Sequence, residues 1–200
     1  MKRAHLQTAI ALSLPPWLQD ALPPPDTLFP STEDRMRLVV GLAGQNIAAG
    51  TGGPFAAAVF DGGTGRLISP GLNLVATLNS SIAHAEIIAI MLAQQREGTY
   101  DLGGSGMPLF ELVTSSEPCA MCLGAISWSG VRRLVCGASG EDVAGIGFDE
   151  GAKPAAWQRE LEVRGIAVVR NVCRSEAVAV LRRYAEQDGV IYNARQGRVP

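Results

Sequence analysis

Four side chains in two short segments of this 200-residue chain have the types and spacing for metal chemistry: His84 and Glu86 in Ala83-His84-Ala85-Glu86, and Cys119 and Cys122 in Glu117-Pro118-Cys119-Ala120-Met121-Cys122. One imidazole and two thiolates suit zinc. A structural zinc is closed by four protein ligands, whereas a catalytic one keeps a position for water. No fourth ligand is at hand. The other histidine, His5, stands near the N-terminus, and the remaining cysteines, Cys136 and Cys173, each sit in an apolar run that reads as a buried strand or its end. Free cysteine in such a place behaves as a small hydrophobe. The count points to a catalytic Zn2+ with one open position.

Cys119 and Cys122 stand at i and i+3, so on the first turn of a helix both sulfurs share a face. Pro118 suits the start of that helix, and the positive end of its dipole favours thiolate. His84 and Glu86 open a second apolar run, Ile87 to Ala93, read as a buried helix. Glu86, which is not needed as a ligand, is placed to take a proton from a metal-activated water and pass it to a substrate. The plain alternatives are a core histidine with an incidental or redox cysteine pair, and an exposed Glu86 that merely suits the helix dipole.

His-x-Glu followed by Pro-Cys-x-x-Cys resembles the signature of the zinc-dependent cytidine deaminase superfamily. The likeness runs from about Glu33 to the C-terminus. It takes in Gly53-Pro54-Phe55-Ala56-Ala57-Ala58-Val59, Asn73, Asn79, the stretch 114–126, Trp128 and Gly147-Phe148-Asp149-Glu150. Within the superfamily it looks like the bacterial and plant guanine deaminase branch. The resemblance implies hydrolysis of guanine to xanthine and ammonia by zinc-bound hydroxide attacking C2, with Glu86 as proton shuttle. It implies a second site carboxylate at Glu150, with Asp149 as its alternative and a solvated acidic loop as the plain reading. Two carboxylates have a chemical use, because a ring nitrogen must be protonated and the amine must leave. Substrate contacts are implied at Asn73, Phe55, Phe148, Ala85, Trp128 and Tyr192, the last from a C-terminal tail of this or a neighbouring subunit. Asn73 also reads as a turn residue, and the aromatic residues as core.

Rival readings keep the zinc. Related rings such as ammeline, cytosine or guanosine would fit similar chemistry, and a tRNA adenosine deaminase shares Glu-Pro-Cys-x-Met-Cys but calls for a basic surface. The net charge here is −2, which disfavours a nucleic-acid partner. A non-catalytic zinc-binding module is the reading from outside enzymology. With 47% hydrophobic and 18% charged residues the chain is globular, its sparse charge suggests a surface covered by a second subunit, and the family resemblance implies a homodimer. A thiolate pair suits a reducing, cytoplasmic compartment. Lys2 and Arg3 precede a short apolar run, but Pro15-Pro16 breaks it before a signal peptide is complete. No run is long enough to span a membrane.

The elements that must position these groups follow from periodicity. Residues 1–30 carry six prolines and read as an extended arm, with Trp17 and Leu18 either pinning it down or lying in a loose tail. Residues 31–200 form the catalytic domain with its tail. Ser31 and Asp34 cap a helix over 32–49, with Met36, Val39, Val40, Ala43 and Ile47 on its inner face. Strands follow at 55–60, 66–75 (interrupted at Pro70-Gly71), 109–115, 131–137 and 166–169. Helices follow at 82–95, 119–128, 157–164 and 175–187, the last with Val178, Leu181 and Tyr184 inward. Ser139 to Pro154 reads as a long, glycine-rich acidic loop. Strands alternating with helices imply an α/β fold: a three-layer α/β/α sandwich with a central mixed sheet.

Overall fold

The computed structural model describes residues 8–197; Lys2, Arg3 and His5 lie outside them. In chain order the elements are α1 (Trp17–Ala21), α2 (Thr32–Ala48), β1 (Ala56–Asp61), β2 (Leu67–Leu72), α3 (Val75–Leu78), α4 (Ala85–Glu97), β3 (Phe110–Ser116), α5 (Ala120–Ser129), β4 (Arg133–Ala138), α6 (Gly140–Gly145), α7 (Trp157–Val163), β5 (Ala167–Val169) and α8 (Arg174–Glu186).

The five strands lie in the order β2-β1-β3-β4-β5. β1 is antiparallel to both β2 and β3, while β3, β4 and β5 run parallel, so the sheet is mixed. Side chains alternate across it as the pleat requires. Ala56, Ala58, Phe60, Val113 and Val135 face a core completed by α2 and α8. Ala57, Val59, Leu112, Leu134 and Cys136 face the other, completed by α4, α5 and α7. The fold is the three-layer α/β/α sandwich.

Ser31 caps α2, its hydroxyl accepting from the Asp34 amide at 3.0 Å, and the five residues expected on the inner face are all buried. α2 is tied to β3 by a buried pair: Arg35 Nη1 lies 2.9 Å from Glu111, which also binds Arg133 at 2.6 Å. The arm packs on the domain: Leu18 is in the core, and Trp17 Nε1 donates to Thr51 Oγ1 at 3.1 Å.

Three local expectations are corrected. β2 runs unbroken through Pro70, because it is an edge strand and there a missing amide hydrogen costs no ladder bond. Gly71 is needed at that point, since a Cβ would overlap the Ala85 carbonyl of α4. The supposed loop after β4 begins with α6, closed by a reciprocal capping box between Ser139 and Asp142. Cys173 is no buried strand residue but the left-handed, half-buried cap of α8; the inner face of α8 carries Leu181 and Tyr184 as expected, with Val178 partly buried against the same core and Val180 buried beside them. Among the described residues no helix is long and apolar enough to cross a membrane.

Candidate active site

One end of the sheet collects every segment that matters. β1 pairs Ala56 with Leu72 of β2 and Ala57 with Thr114 of β3, and Ser116 pairs with Ala138 of β4. The start of β1 and the ends of β2, β3 and β4 therefore lie side by side, and Phe55, Asn73, Glu117 to Cys119, and Ser139 emerge together. In open α/β sheets this carboxyl edge is where ligands bind. A cavity of about 370 Å³ opens there, lined by Phe55, Asn73, His84, Glu86, Cys119, Phe148, Glu150 and Tyr192 among others.

The expected metal ligands sit at helix starts, one residue outside the helix in two cases. His84 is the N-cap of α4 and Cys119 the N-cap of α5, both with extended backbone; Cys122 lies within the first turn. The extended caps let the His84 ring and the Cys119 sulfur meet across the gap between the two helices. His84 Nδ1 is 3.6 Å from each sulfur, and the three ligand atoms lie within 4.8 Å of one another. Two ligands 2.0–2.3 Å from a tetrahedral zinc stand about 3.6 Å apart, so the trio fits the ion as it stands. Among the described residues no fourth histidine, cysteine or carboxylate joins the group.

Residues 30–138 match the cytidine and deoxycytidylate deaminase zinc-binding region. The chain belongs to this deaminase family. Guanine deaminase of Bacillus subtilis is 40% identical over 118 residues, which cover 59% of this chain and 71% of that protein. A solved guanine deaminase from Nitrosomonas europaea superposes with a TM-score of 0.85 at 48% identity, covering 92% of this chain and all of its own. The structure of NE0047 in complex with 2,6-diaminopurine gives 0.86 at 50% identity, covering 94% and 98%. The deaminase described here is a zinc-dependent hydrolase.

The two cysteines shift in opposite directions. The Cys122 thiol donates to Cys119, pulling it down to about 4 despite burial, and the neighbouring His84 helps. Cys122 is pushed up by the same hydrogen bond and by burial. Burial works against a charged His84, yet the Cys119 sulfur and the Glu86 carboxylate raise it overall. Glu86 is buried on the first turn of α4, and its pKa is raised, first by burial and then by Cys119, with His84 opposing. Glu150 is pushed up to about 7, chiefly by burial, with Lys153 opposing. A Glu150 Oε2 without a hydrogen bond lies 3.7 Å from Lys153 Nζ, and the Glu150 carbonyl accepts from Ala120 at the start of α5 at 2.9 Å. Asp149 is exposed, and its carboxylate caps the Gly151 amide at 2.8 Å.

Phe55 and Phe148 meet edge to face at 5.1 Å. Tyr192 enters from the tail, 4.8 Å from Phe148. Its hydroxyl is buried without a hydrogen bond, beside the Asn73 amide above Gly53. Two expected contacts are not brought in. Trp128 is 87% exposed at the far end of α5, because eight residues past its first residue a helix has risen about 12 Å from its start. Ala85 points into the core behind the metal ligands and does not line the cavity.

Two further groups hold these loops: Glu117, to which sequence reasoning gave no role, and Asn193, which it placed only in a tail closing the site. Glu117 is buried and binds Arg170, Lys153 at 3.4 Å and the Gly140 amide at 3.1 Å. Asn193 clasps the 147–149 loop, accepting from the Asp149 amide and donating to the Gly147 carbonyl, both at 2.9 Å. Neither belongs to a periodic pattern. Only the charge of Glu117 next to Pro118-Cys119 offered a signal.

Proposed function

We propose that this deaminase hydrolyses guanine to xanthine and ammonia. The observation that carries the reading is a single cavity holding a zinc ligand trio, a buried and a half-buried carboxylate that both have raised pKa values, and a wall of Phe55 and Phe148 suited to a planar base. The relatives support the ring: 2,6-diaminopurine, bound in NE0047, and 8-azaguanine, bound in its variants, both carry an amino group at C2. Zinc bound by His84, Cys119 and Cys122 would lower the pKa of a water and polarise the attack on C2. Glu86 takes the proton of that water and carries it to a ring nitrogen; its burial favours the protonated intermediate state this requires. Glu150, and not the solvent-facing Asp149, receives the amine side and delivers a proton to the departing ammonia. Asn73 holds the base by its amide, and Tyr192 closes over it, offering its unpartnered hydroxyl.

The same reading carries a homodimer in a cytoplasmic, purine-catabolic setting. A chain with few charges and a bare Trp128 on α5 supports a covered surface, and a metal-holding thiolate pair supports a reducing compartment. A net charge of −2 supports a small substrate over a nucleic acid. The test is ammonia release by zinc-loaded protein from guanine, guanosine, adenine, cytosine, ammeline and tRNA. Release from guanine far above the others is expected; release from a different ring alone would retain the zinc chemistry and overturn the assignment of Asn73 and Glu150.

A further inference from the structure

Asn46 is fully buried on α2. Its Nδ2 donates to two carbonyls from separate segments, Gly53 at 2.9 Å and Asn73 at 3.0 Å. Both amide hydrogens are used. Its Oδ1 accepts from Thr51 Oγ1 at 2.7 Å, and that hydroxyl in turn accepts from Trp17 Nε1 at 3.1 Å. The Thr51 hydroxyl also lies 3.2 Å from the Asn46 backbone carbonyl, so it meets Asn46 at two acceptors, the side-chain oxygen being the nearer, and a chain of bonds links Trp17 through Thr51 and Asn46 to Asn73. The Asn73 amide nitrogen is fixed as well, donating to the Phe55 carbonyl at 3.0 Å. Gly52 lets the two loops close up, since a Cβ there would overlap the Asn73 carbonyl.

We propose that Asn46 is a positioning residue that sets the backbone of the base-binding Asn73, and that the N-terminal arm holds Asn46 in register through Trp17 and Thr51. The inference rests on the role given to Asn73 above. A side chain that binds the base alike in ground and transition states acts on KM and not on kcat, so an error in its placement has the same signature. A merely structural amide would instead lower Tm and the active fraction, and hence kcat, at constant KM.

The experiment is steady-state kinetics on guanine with zinc-loaded N46D, T51V, T51S, W17F and N73A, alongside zinc content and Tm. N46D keeps the shape and loses both donors; T51V removes only the hydroxyl. KM for guanine is expected to rise about tenfold or more in N46D and about three- to tenfold in T51V and W17F, with kcat changed less than about threefold and zinc content unchanged. T51S should restore the wild-type KM. In an N73A background T51V should add nothing, since the two act through one contact. If N73A weakens guanine binding but T51V and W17F do not, or if their effects add to that of N73A, the positioning role is overturned while the function stands. If N73A itself leaves KM unchanged while guanine is still turned over, Asn73 loses its role and the inference falls with it. N46D failing to fold leaves T51V and W17F to decide.

Discussion

Glutamine at position 86 keeps the shape of the glutamate and removes its capacity to carry a proton. Glu86 lies buried on the first turn of α4, two residues from His84, and the trio of metal ligands is complete without it. E86Q should therefore bind zinc with unchanged stoichiometry. The loss of a positioned proton carrier costs about 10²- to 10⁴-fold in rate, or about 2.7–5.4 kcal/mol of barrier at roughly 1.36 kcal/mol per decade. Stability should move the other way. Burial raises the Glu86 pKa above its usual 4.5, so in metal-free protein the ionised form opposes folding once the pH exceeds that usual value, and the cost grows until the pH passes the folded value. At neutral pH the metal-free E86Q protein should melt at or above the wild-type temperature, and the difference should vanish near pH 4. The assays are ammonia release, zinc content by atomic absorption, and thermal melts of metal-free protein at pH 4 and pH 7.5. Turnover within threefold of wild type, or loss of zinc from E86Q, would refute the assignment; a metal-free melt well below wild type at pH 7.5 would refute the electrostatic account.

Glu150 is held at about 7, so as a proton donor its useful form declines above neutrality: kcat/KM should fall as the pH rises past about 7. E150Q should lose that limb along with about 10²-fold or more of the rate, and a pH profile identical to wild type would exclude it. Exhaustive chelation should abolish turnover and lower Tm, because a metal that binds only the folded chain stabilises it by mass action; re-addition of zinc should reverse both, and C122S should not recover. Y192F removes a buried hydroxyl without a hydrogen bond, so the ligand-free protein should keep its stability or gain about 1–3 kcal/mol at most, read as a Tm that holds or rises, while KM for guanine rises several-fold. A KM unchanged in Y192F would show that the tail does not touch the base.

Much of this site was legible in the sequence because its chemistry is carried by rare residue types at fixed spacing. His84, Glu86, Cys119 and Cys122 are scarce, clustered and placed at the starts of strongly apolar helices, and the strands between them follow the pleat. Pro70 misled because edge and central strands read alike until the strand order is known. α6 was hidden by its glycines, although Ser139 and Asp142 stand at capping-box spacing. Trp128 was misplaced because an aromatic residue near a motif carries no sign of which end of the helix it leaves from. Asn46 and Asn193 act through backbone carbonyls and amides of distant loops, and no one-dimensional pattern marks such a partner.

Both margins of the sheet are poor templates for a further strand. β2 carries Pro70 along its open side and meets the arm at a bridge between Leu28 and Arg66, while β5 has only three residues. A short or proline-bearing edge gives an incoming strand few amides to pair with. The sheet is thereby guarded against runaway edge-to-edge growth.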